Sequence, residues 1–222
     1  MPDGRVLTAG ERVPLAHPVA SRLIERSQLL DRALQLAYFT VVWNVGEGIV
    51  AIWAAVASGS DALLGFGLDS GVESLSGLVL IWRLNVERRT VERTEDAEAK
   101  ALKLIGATFF LLAAYVAFES ITSLLNVERP GVTLVGLGIT TLSIIVMPRL
   151  ASRKERVGTA LGSRAVLADS AETWSCVYLS AVVLVGLALN ALFGWWWADP
   201  VAALAVVVFL VKEGWEAFGG GD

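Results

Sequence analysis

Apolar and polar positions alternate along this chain on the scale of whole segments, with six long apolar blocks separated by short polar connections. A transmembrane helix needs about 20 mostly apolar residues to cross about 30 Å of hydrocarbon. Each block meets that requirement, and the six blocks use most of the chain. We therefore predict an all-α membrane protein with six transmembrane helices, over Ala33–Ala57, Ala62–Leu84, Ala101–Leu125, Val132–Pro148, Ala165–Leu192 and Trp195–Phe218.

The segment before the first block has a different pattern. Residues Ala20 to Gln35 alternate apolar and charged side chains at helical spacing, which predicts an amphipathic helix lying on the cytoplasmic interface. Prolines and charges stand where a signal peptide needs an apolar core, so a cleaved leader is not expected. We predict three parts: a cytoplasmic N-terminal segment with this interfacial helix (1–32), a six-helix transmembrane domain (33–218) and a short C-terminal tail (219–222).

Positive charge indicates the orientation. Of the 18 Lys and Arg residues, all but Arg129 lie on the side that also holds both termini. The positive-inside rule then places the N- and C-termini in the cytoplasm. The second connection, Asn85–Lys100, is expected to be a solvated loop or helix extension, and Ala151–Ser163 is expected to connect the fourth and fifth spans.

Composition excludes several classes of protein. Hydrophobic residues make up 55% and charged residues 18%, with a mean hydropathy of +0.62, whereas soluble domains have roughly 45–50% and about 25%. The chain has one cysteine, Cys176, so it is not a disulfide scaffold. With a net charge of −4 and scattered basic residues, no nucleic-acid partner is expected. We predict a multi-pass protein of the plasma membrane or bacterial inner membrane.

Three acids lie inside the predicted spans, where charge is expensive. Asp69 and Glu73 belong to the second span and Glu172 to the fifth. A carboxylate at the bilayer centre costs roughly 2.5–3.5 kcal/mol on insertion scales, so such residues usually face an interior cavity and mark an ion or proton pathway.

The spacing of these acids suggests a site. Asp69 and Glu73 are four residues apart, as are Glu172 and Cys176, so each pair shares one helix face. At about 1.5 Å per residue, Asp69 in the second span should lie level with Cys176 in the antiparallel fifth, and Glu73 with Glu172. Four ligands at mid-membrane are what a tetrahedral metal site needs. The alternative is that the acids are protonated and hydrogen-bonded to Ser or Thr on neighbouring helices.

Two further polar residues, Asn44 and Glu47, lie in the first span beside Gly46 and Gly48. The glycines favour a close approach of two helices, so packing is the preferred interpretation of this segment. Asn44 and Glu47 remain candidates for an accessory or proton-path role.

Asp169 and Glu119 are the remaining accessory candidates. Asp169 lies one turn from Glu172 toward the cytoplasm, and could be a substitute ligand or an entry-path acid. Glu119, in the third span, is either structural or part of a proton path. The only histidine, His17, lies in the N-terminal segment and is not expected to be a ligand.

The chain resembles the cation diffusion facilitator family of metal/proton antiporters from about Asn44 to Gly219. The stretch Ser58–Ser70 is similar to that family's first loop and entry to the second span, and Gly194–Pro200 to its approach to the sixth. Ala168–Glu172 follows its Ala-Asp-Ala-x-His pattern. The resemblance implies that Asp69, Glu73, Glu172 and Cys176 occupy the four metal-binding positions.

The chain departs from that family in several ways. No histidine stands at the site, Cys176 replaces an aspartate, and Ala151–Ser163 lacks the histidines often found there. Because the sequence ends Gly219-Gly220-Gly221-Asp222, we expect the family's cytoplasmic C-terminal domain to be absent, so a homodimer would have to use the transmembrane helices.

The expected function is therefore transport rather than enzymatic catalysis. We predict a divalent transition-metal transporter that exchanges metal for protons, with zinc ranked before manganese, iron(II) and cobalt, and with no resident cofactor. Metal, protons and the lipid bilayer are the expected partners. The alternative is a membrane protein that binds metal or assists assembly without transporting.

Overall fold

The computed structural model describes residues 17–58, 61–89, 94–127 and 134–219. This part of the chain forms six α-helices joined by short links. They are α1 (His17–Ser58), α2 (Asp61–Arg89), α3 (Thr94–Asn126), α4 (Leu134–Leu161), α5 (Arg164–Phe193) and α6 (Ala198–Gly219).

The predicted all-α membrane fold with six helices is confirmed. Within the described residues, three helical stretches are long and apolar enough to cross a membrane by length and composition: Ser21–Ala54, Thr94–Asn126 and Leu134–Leu161. Helix α2 instead carries Asp69 and Glu73 in its interior, which lower its mean hydropathy.

The distribution of buried and exposed side chains is the reverse of that in a water-soluble protein. Small polar side chains are fully buried, as at Thr40, Ser70 and Ser143, whereas large apolar side chains such as Val42 and Trp53 are mostly exposed. Water would favour the reverse arrangement, because exposed apolar area costs free energy there. A lipid environment accounts for both sides of the pattern, since the hydrocarbon solvates the apolar exterior and the bundle interior solvates the hydroxyls.

Helices α2 and α5 lie together in the middle of the bundle. Helix α2 packs against α1, α3 and α5, while α5 packs against α2, α3, α4 and α6. Helix α1 also contacts α4, and α3 contacts α6. The two helices that carry the predicted ligands are therefore neighbours enclosed by the other four.

Helix α4 is longer than the sequence pattern predicts. It runs through Pro148 and on to Leu161, so most of the expected connection Ala151–Ser163 is helical. A proline removes one backbone hydrogen bond, which transmembrane helices tolerate when neighbours compensate. The link to α5 is only Gly162 and Ser163, and Gly162 has a φ of +65°, a conformation that glycine adopts at low cost.

Helix α1 is also continuous. It begins at His17 and shows no break between the amphipathic segment and the first predicted span. Residues 21–28 are exposed. The location of this segment on the membrane interface stays a prediction.

An ion-pair network joins the cytoplasmic ends of three helices. Arg26 of α1 lies 2.5 Å from Glu87 of α2, and Glu87 also lies 2.5 Å from Arg83. Arg83 pairs with Glu98 of α3, which accepts hydrogen bonds from Ser163 Oγ (3.0 Å) and from the backbone N–H of Ala165 (2.8 Å) at the start of α5. The expected Asn85–Lys100 segment thus consists largely of helix extensions, but Glu87 is buried rather than solvated.

Glycines bring α1 and α2 into close contact. A Cβ atom added at Gly48 would lie 3.2 Å from the carbonyl oxygen of Gly67, and one added at Gly67 would lie 2.6 Å from Ile52 Cγ1. The packing role expected for this segment is therefore confirmed at Gly48. Gly46 has no atom within 4 Å of such a Cβ, so it takes no part in the contact.

Candidate metal-transport site

All four predicted ligands are buried at the interface of α2 and α5. Asp69 is 4% exposed, and Glu73, Glu172 and Cys176 are each 1% exposed. Two of them come from each helix, so the pairs face each other across one helix–helix contact.

Side-chain contacts give the register of the two antiparallel helices. The Cys176 thiol lies beside the carboxyl groups of Asp69 and Glu73. One turn toward the cytoplasm, Thr173 Oγ1 donates a 2.7 Å hydrogen bond to Glu73 Oε1. One turn further, Ser76 Oγ lies 3.5 Å from Asp169 Oδ1. This register levels Asp69 with Cys176, as helix geometry predicts. The other predicted pairing differs, because Thr173 rather than Glu172 contacts Glu73 and the Glu172 side chain lies beside Ser76.

Glu172 has different neighbours from the other three. Its carboxyl group lies beside Ser76 of α2 and Thr108 of α3. Those hydroxyls hydrogen-bond elsewhere, Ser76 to Asp169 and Thr108 to the Ile105 carbonyl, so both Glu172 oxygens lack a hydrogen-bond partner among the described residues.

In this conformation the four groups do not form a closed ligand shell. Among the residues that the structure describes, no three His, Cys, Asp or Glu side chains are arranged so as to hold a metal ion. The assignment of Asp69, Glu73, Glu172 and Cys176 as ligands therefore stays a prediction.

The alternative interpretation of the acids describes only part of the arrangement. Glu73 does bond to Thr173, and Ser70 Oγ donates a 3.3 Å hydrogen bond to Glu47 Oε2. However, one oxygen each of Asp69 and Glu73 has no hydrogen-bond partner among the described side chains, in addition to both oxygens of Glu172. Leaving such atoms unpaired is costly in a protein interior, so unpaired oxygens along one helix–helix contact indicate a place for a ligand.

Helix α1 adds a further acid to this region. Glu47 is 4% exposed and lies near Asp69, with Ser70 as its hydrogen-bond donor. Asn44, one turn earlier, is fully buried, and neither amide atom has a partner among the described residues. Both accessory candidates of α1 therefore face the bundle interior, at the end of the acid cluster toward the outside.

Asp169 differs from the other acids of this cluster because its carboxylate has an ion-pair partner. It is fully buried, and its Oδ2 lies 2.6 Å from Lys154 Nζ of α4, which is 1% exposed. The lysine also donates a 2.8 Å hydrogen bond to Thr173 Oγ1. The structure thus pairs Asp169 with a buried cation on the cytoplasmic side of Glu73.

The sequence prediction missed Lys154, because it counted this residue among the cytoplasmic charges of a connection. A signal was nevertheless present in the spacing. The buried positions of α4 recur at steps of three or four residues, and Lys154 occupies one of them, whereas Arg153 and Glu155 do not. The series is Gly136, Thr140, Ser143, Met147, Leu150 or Ala151, Lys154, Gly158 and Leu161.

The last two residues weighed in the sequence prediction lie on α3 and α1. Glu119 stands eleven residues after Thr108 on α3, about 16 Å along the helix toward the outside. His17 is the first residue of α1, at the opposite end of that helix from Glu47.

The cluster is strongly acidic. Apart from Glu87, which pairs with Arg26 and Arg83, five carboxyl groups are buried along α1, α2 and α5, and Lys154 is the one lysine buried with them among the described residues. The carboxyl groups are those of Glu47, Asp69, Glu73, Asp169 and Glu172. A buried charge needs a partner or a proton, and a divalent cation can supply two positive charges.

Comparison with known proteins gives an independent result. The family model of the cation efflux transmembrane domain matches residues 37–218. An uncharacterized transporter from Synechocystis is 28% identical over 181 residues, 78% of this chain and 58% of that protein. The cation-efflux pump FieF of Shewanella oneidensis is 24% identical over 172 residues, 75% of this chain and 58% of its own.

The name of a third relative includes the ions that it transports. A cadmium, cobalt and zinc/H(+)-K(+) antiporter of Bacillus subtilis is 23% identical over 124 residues, 53% of this chain and 38% of that protein. The chain spans less than two thirds of the length of each of these three relatives.

Proposed function

The chain belongs to the cation efflux family, and from that membership we propose that it moves divalent transition-metal ions across a membrane in exchange for protons. It is a multi-pass integral membrane protein, and the plasma membrane or bacterial inner membrane fits the family. The names of two relatives support the proposal: one is a cation-efflux pump and the other is a cadmium, cobalt and zinc/H(+)-K(+) antiporter.

One observation carries the proposal: acids of α2 and α5 are buried over about two turns of the same helix–helix contact, and several of their oxygens lack hydrogen-bond partners among the described residues. Asp69, Glu73 and Cys176 are mutual neighbours, and Glu172 lies one turn along α5 from Cys176. Carboxylate and thiolate are both ligands for divalent transition metals. We propose that these four groups bind the transported ion when a small shift of α5 against α2 brings Glu172 toward Glu73.

Charge balance supports proton exchange. Five buried carboxyl groups face one buried ammonium, so a single divalent ion cannot neutralise the fully deprotonated cluster. Carboxyl and thiol groups bind metal only after losing a proton, so metal binding releases protons. Metal affinity should therefore rise with pH, and reprotonation from the other side of the membrane should displace the ion.

Zinc is the first candidate for the transported ion. It accepts oxygen and sulfur ligands together, whereas carboxylates alone suit manganese or iron(II) and a thiolate favours softer ions. Cobalt has similar geometric requirements and follows. The antiporter of Bacillus subtilis is named for cadmium, cobalt and zinc, which supports the same group of ions.

We propose that the exposed segment of α1 near residues 21–28 lies on the cytoplasmic interface and that residues 33–218 form the transport unit. We propose a homodimer that forms through exposed apolar sides of the helices, such as those around Val42 and Trp53.

The test is zinc flux into proteoliposomes that contain a zinc-sensitive dye, with and without an imposed pH gradient. We expect flux that follows the gradient and stops in Glu172→Gln, which removes one ligand without changing side-chain volume. Glu155→Gln, on the exposed face of α4, is the matched control and should transport normally. Metal binding without flux of zinc, manganese or iron(II) would instead favour a metal-binding or assembly protein.

A further inference from the structure

We propose that Lys154 and Thr173 are positioning residues of the transport site, holding the Glu73 carboxyl group in a fixed orientation through a relay of two hydrogen bonds from α4 to α5 to α2. The proposal deepens the proposed function, because it concerns how one of its ligands is held.

The relay has one direction. Lys154 Nζ has only protons to donate, and it donates to Thr173 Oγ1 at 2.8 Å. The hydroxyl of Thr173 must therefore use its single proton toward another acceptor. Glu73 Oε1 lies at 2.7 Å, and the backbone carbonyl of Asp169 lies at 3.1 Å. The carboxyl oxygen is the nearer acceptor and the stronger one, so the proton points to Glu73.

The relay leaves part of Glu73 available. Oε1 is engaged by Thr173, whereas Oε2 has no hydrogen-bond partner among the described residues, although the Cys176 thiol lies nearby. A carboxyl group held by one oxygen presents the other in a defined direction. This is how outer-shell partners orient metal ligands, and their loss typically costs about 10–100-fold in metal affinity.

The ion pair with Asp169 fixes the start of the relay. Lys154 is 1% exposed and Asp169 is fully buried, and their 2.6 Å contact anchors the ammonium between α4 and α5. The same contact compensates the charge of Asp169, so that this carboxylate does not compete as a ligand. The pair lies on the cytoplasmic side of Glu73, between the metal ligands and the cytoplasmic ends of α4 and α5.

Four variants test the relay by KM and kcat for zinc flux and by zinc binding to the purified protein in competition with a fluorescent chelator. Thr173→Val breaks the relay but keeps the ion pair, and we expect KM and Kd to rise about 10–100-fold with a smaller change in kcat. Thr173→Ser keeps the hydroxyl and should restore both values. Thr141→Val makes the same change at an exposed position of α4 and should match wild type.

The double variant Lys154→Met/Asp169→Asn isolates the lysine. It removes both charges together, so the protein keeps its charge balance even if a single substitution prevents folding. We expect its KM and Kd to rise in the same direction as those of Thr173→Val.

Several outcomes would overturn the proposal. A wild-type KM and Kd in Thr173→Val would show that Glu73 needs no hydrogen bond from α5. Wild-type values in the double variant would show that Lys154 only neutralises Asp169. An increase in Kd that Thr173→Ser fails to reverse would show a packing effect. Absence of flux and of binding for zinc, manganese and iron(II) in the wild-type protein would instead reject the proposed function, which separates the two failures.

Discussion

The buried ion pair between α4 and α5 makes a quantitative prediction about stability. Asp169→Asn leaves the Lys154 ammonium buried at 1% exposure without its ion-pair partner, while the Glu73 carboxyl group of α2 still interacts with its charge. Removing one partner of a buried pair typically costs about 3–5 kcal/mol, because the remaining charge is uncompensated. One hydrogen bond to Thr173 remains, so we expect the lower part of that range.

The assay is thermal unfolding of the purified protein in detergent. A domain of this length loses roughly 2–4 °C in Tm for each kcal/mol, so Asp169→Asn should lower Tm by about 6–12 °C. Lys154→Met/Asp169→Asn should recover most of the loss, because neutral side chains of similar volume often replace a buried pair without cost. The two variants and Lys154→Met form a double-mutant cycle with an expected coupling energy of about 3 kcal/mol.

Two results would refute this reasoning. An unchanged Tm in Asp169→Asn would mean that the ammonium finds another counter-charge or loses its proton without penalty. A double variant no more stable than the worse single variant would mean that the residues do not interact. The cycle also distinguishes two roles of Asp169, ion-pair partner of Lys154 and metal ligand. Only the ion-pair role predicts that the double variant recovers its Tm in the absence of metal.

Three other substitutions test the metal ligands and the packing of α1 on α2. Glu172→Gln should lose zinc flux yet keep the wild-type Tm, since both of its oxygens lack partners; retained flux would remove it from the ligand set. Cys176→Ser should lower zinc and cadmium transport relative to manganese in competition assays, because a hydroxyl is a harder donor than a thiolate; unchanged ion preference would exclude the thiol. Gly67→Ala should cost about 1–3 kcal/mol in thermal unfolding, because its Cβ meets Ile52 at 2.6 Å, whereas Gly46→Ala, in open space, should be neutral or stabilising; equal effects would contradict the close packing of α1 on α2.

The fold class and the buried positions of the four predicted ligands followed from the sequence, because a lipid environment imposes simple rules. Six long apolar blocks predicted six helices, and Asp69 and Glu172 drew attention because charge is costly inside a bilayer. Helix geometry then predicted that Asp69 and Cys176 lie at the same depth on the two antiparallel helices, and the two side chains are neighbours in the structure. These inferences needed only distances along a helix.

The extent of α4 and the role of Lys154 did not follow from the sequence. Hydropathy marks where a helix leaves the hydrocarbon, not where the helix ends, so a span predicted to stop at Pro148 continues to Leu161. A lysine beyond that point looks like a solvated charge, because the positive-inside rule counts residues without regard to their helix face. The three-and-four spacing of buried positions on α4 distinguishes Lys154 from Arg153, but it is informative only once the helix is known to continue.

A carrier needs its site to bind metal and also to release it, and the placement of the one buried ammonium bears on both requirements. A cluster with more carboxylates would bind a divalent ion more tightly, but it would also hold that ion longer. By pairing with Asp169, Lys154 takes one carboxylate out of competition, and by donating to Thr173 it leaves Glu73 one free oxygen. If this division of roles holds, Lys154→Met should bind zinc more tightly than the double variant Lys154→Met/Asp169→Asn, because only the single variant frees Asp169 as a ligand. Equal affinities in the chelator assay would show that Asp169 is too far from the site to compete.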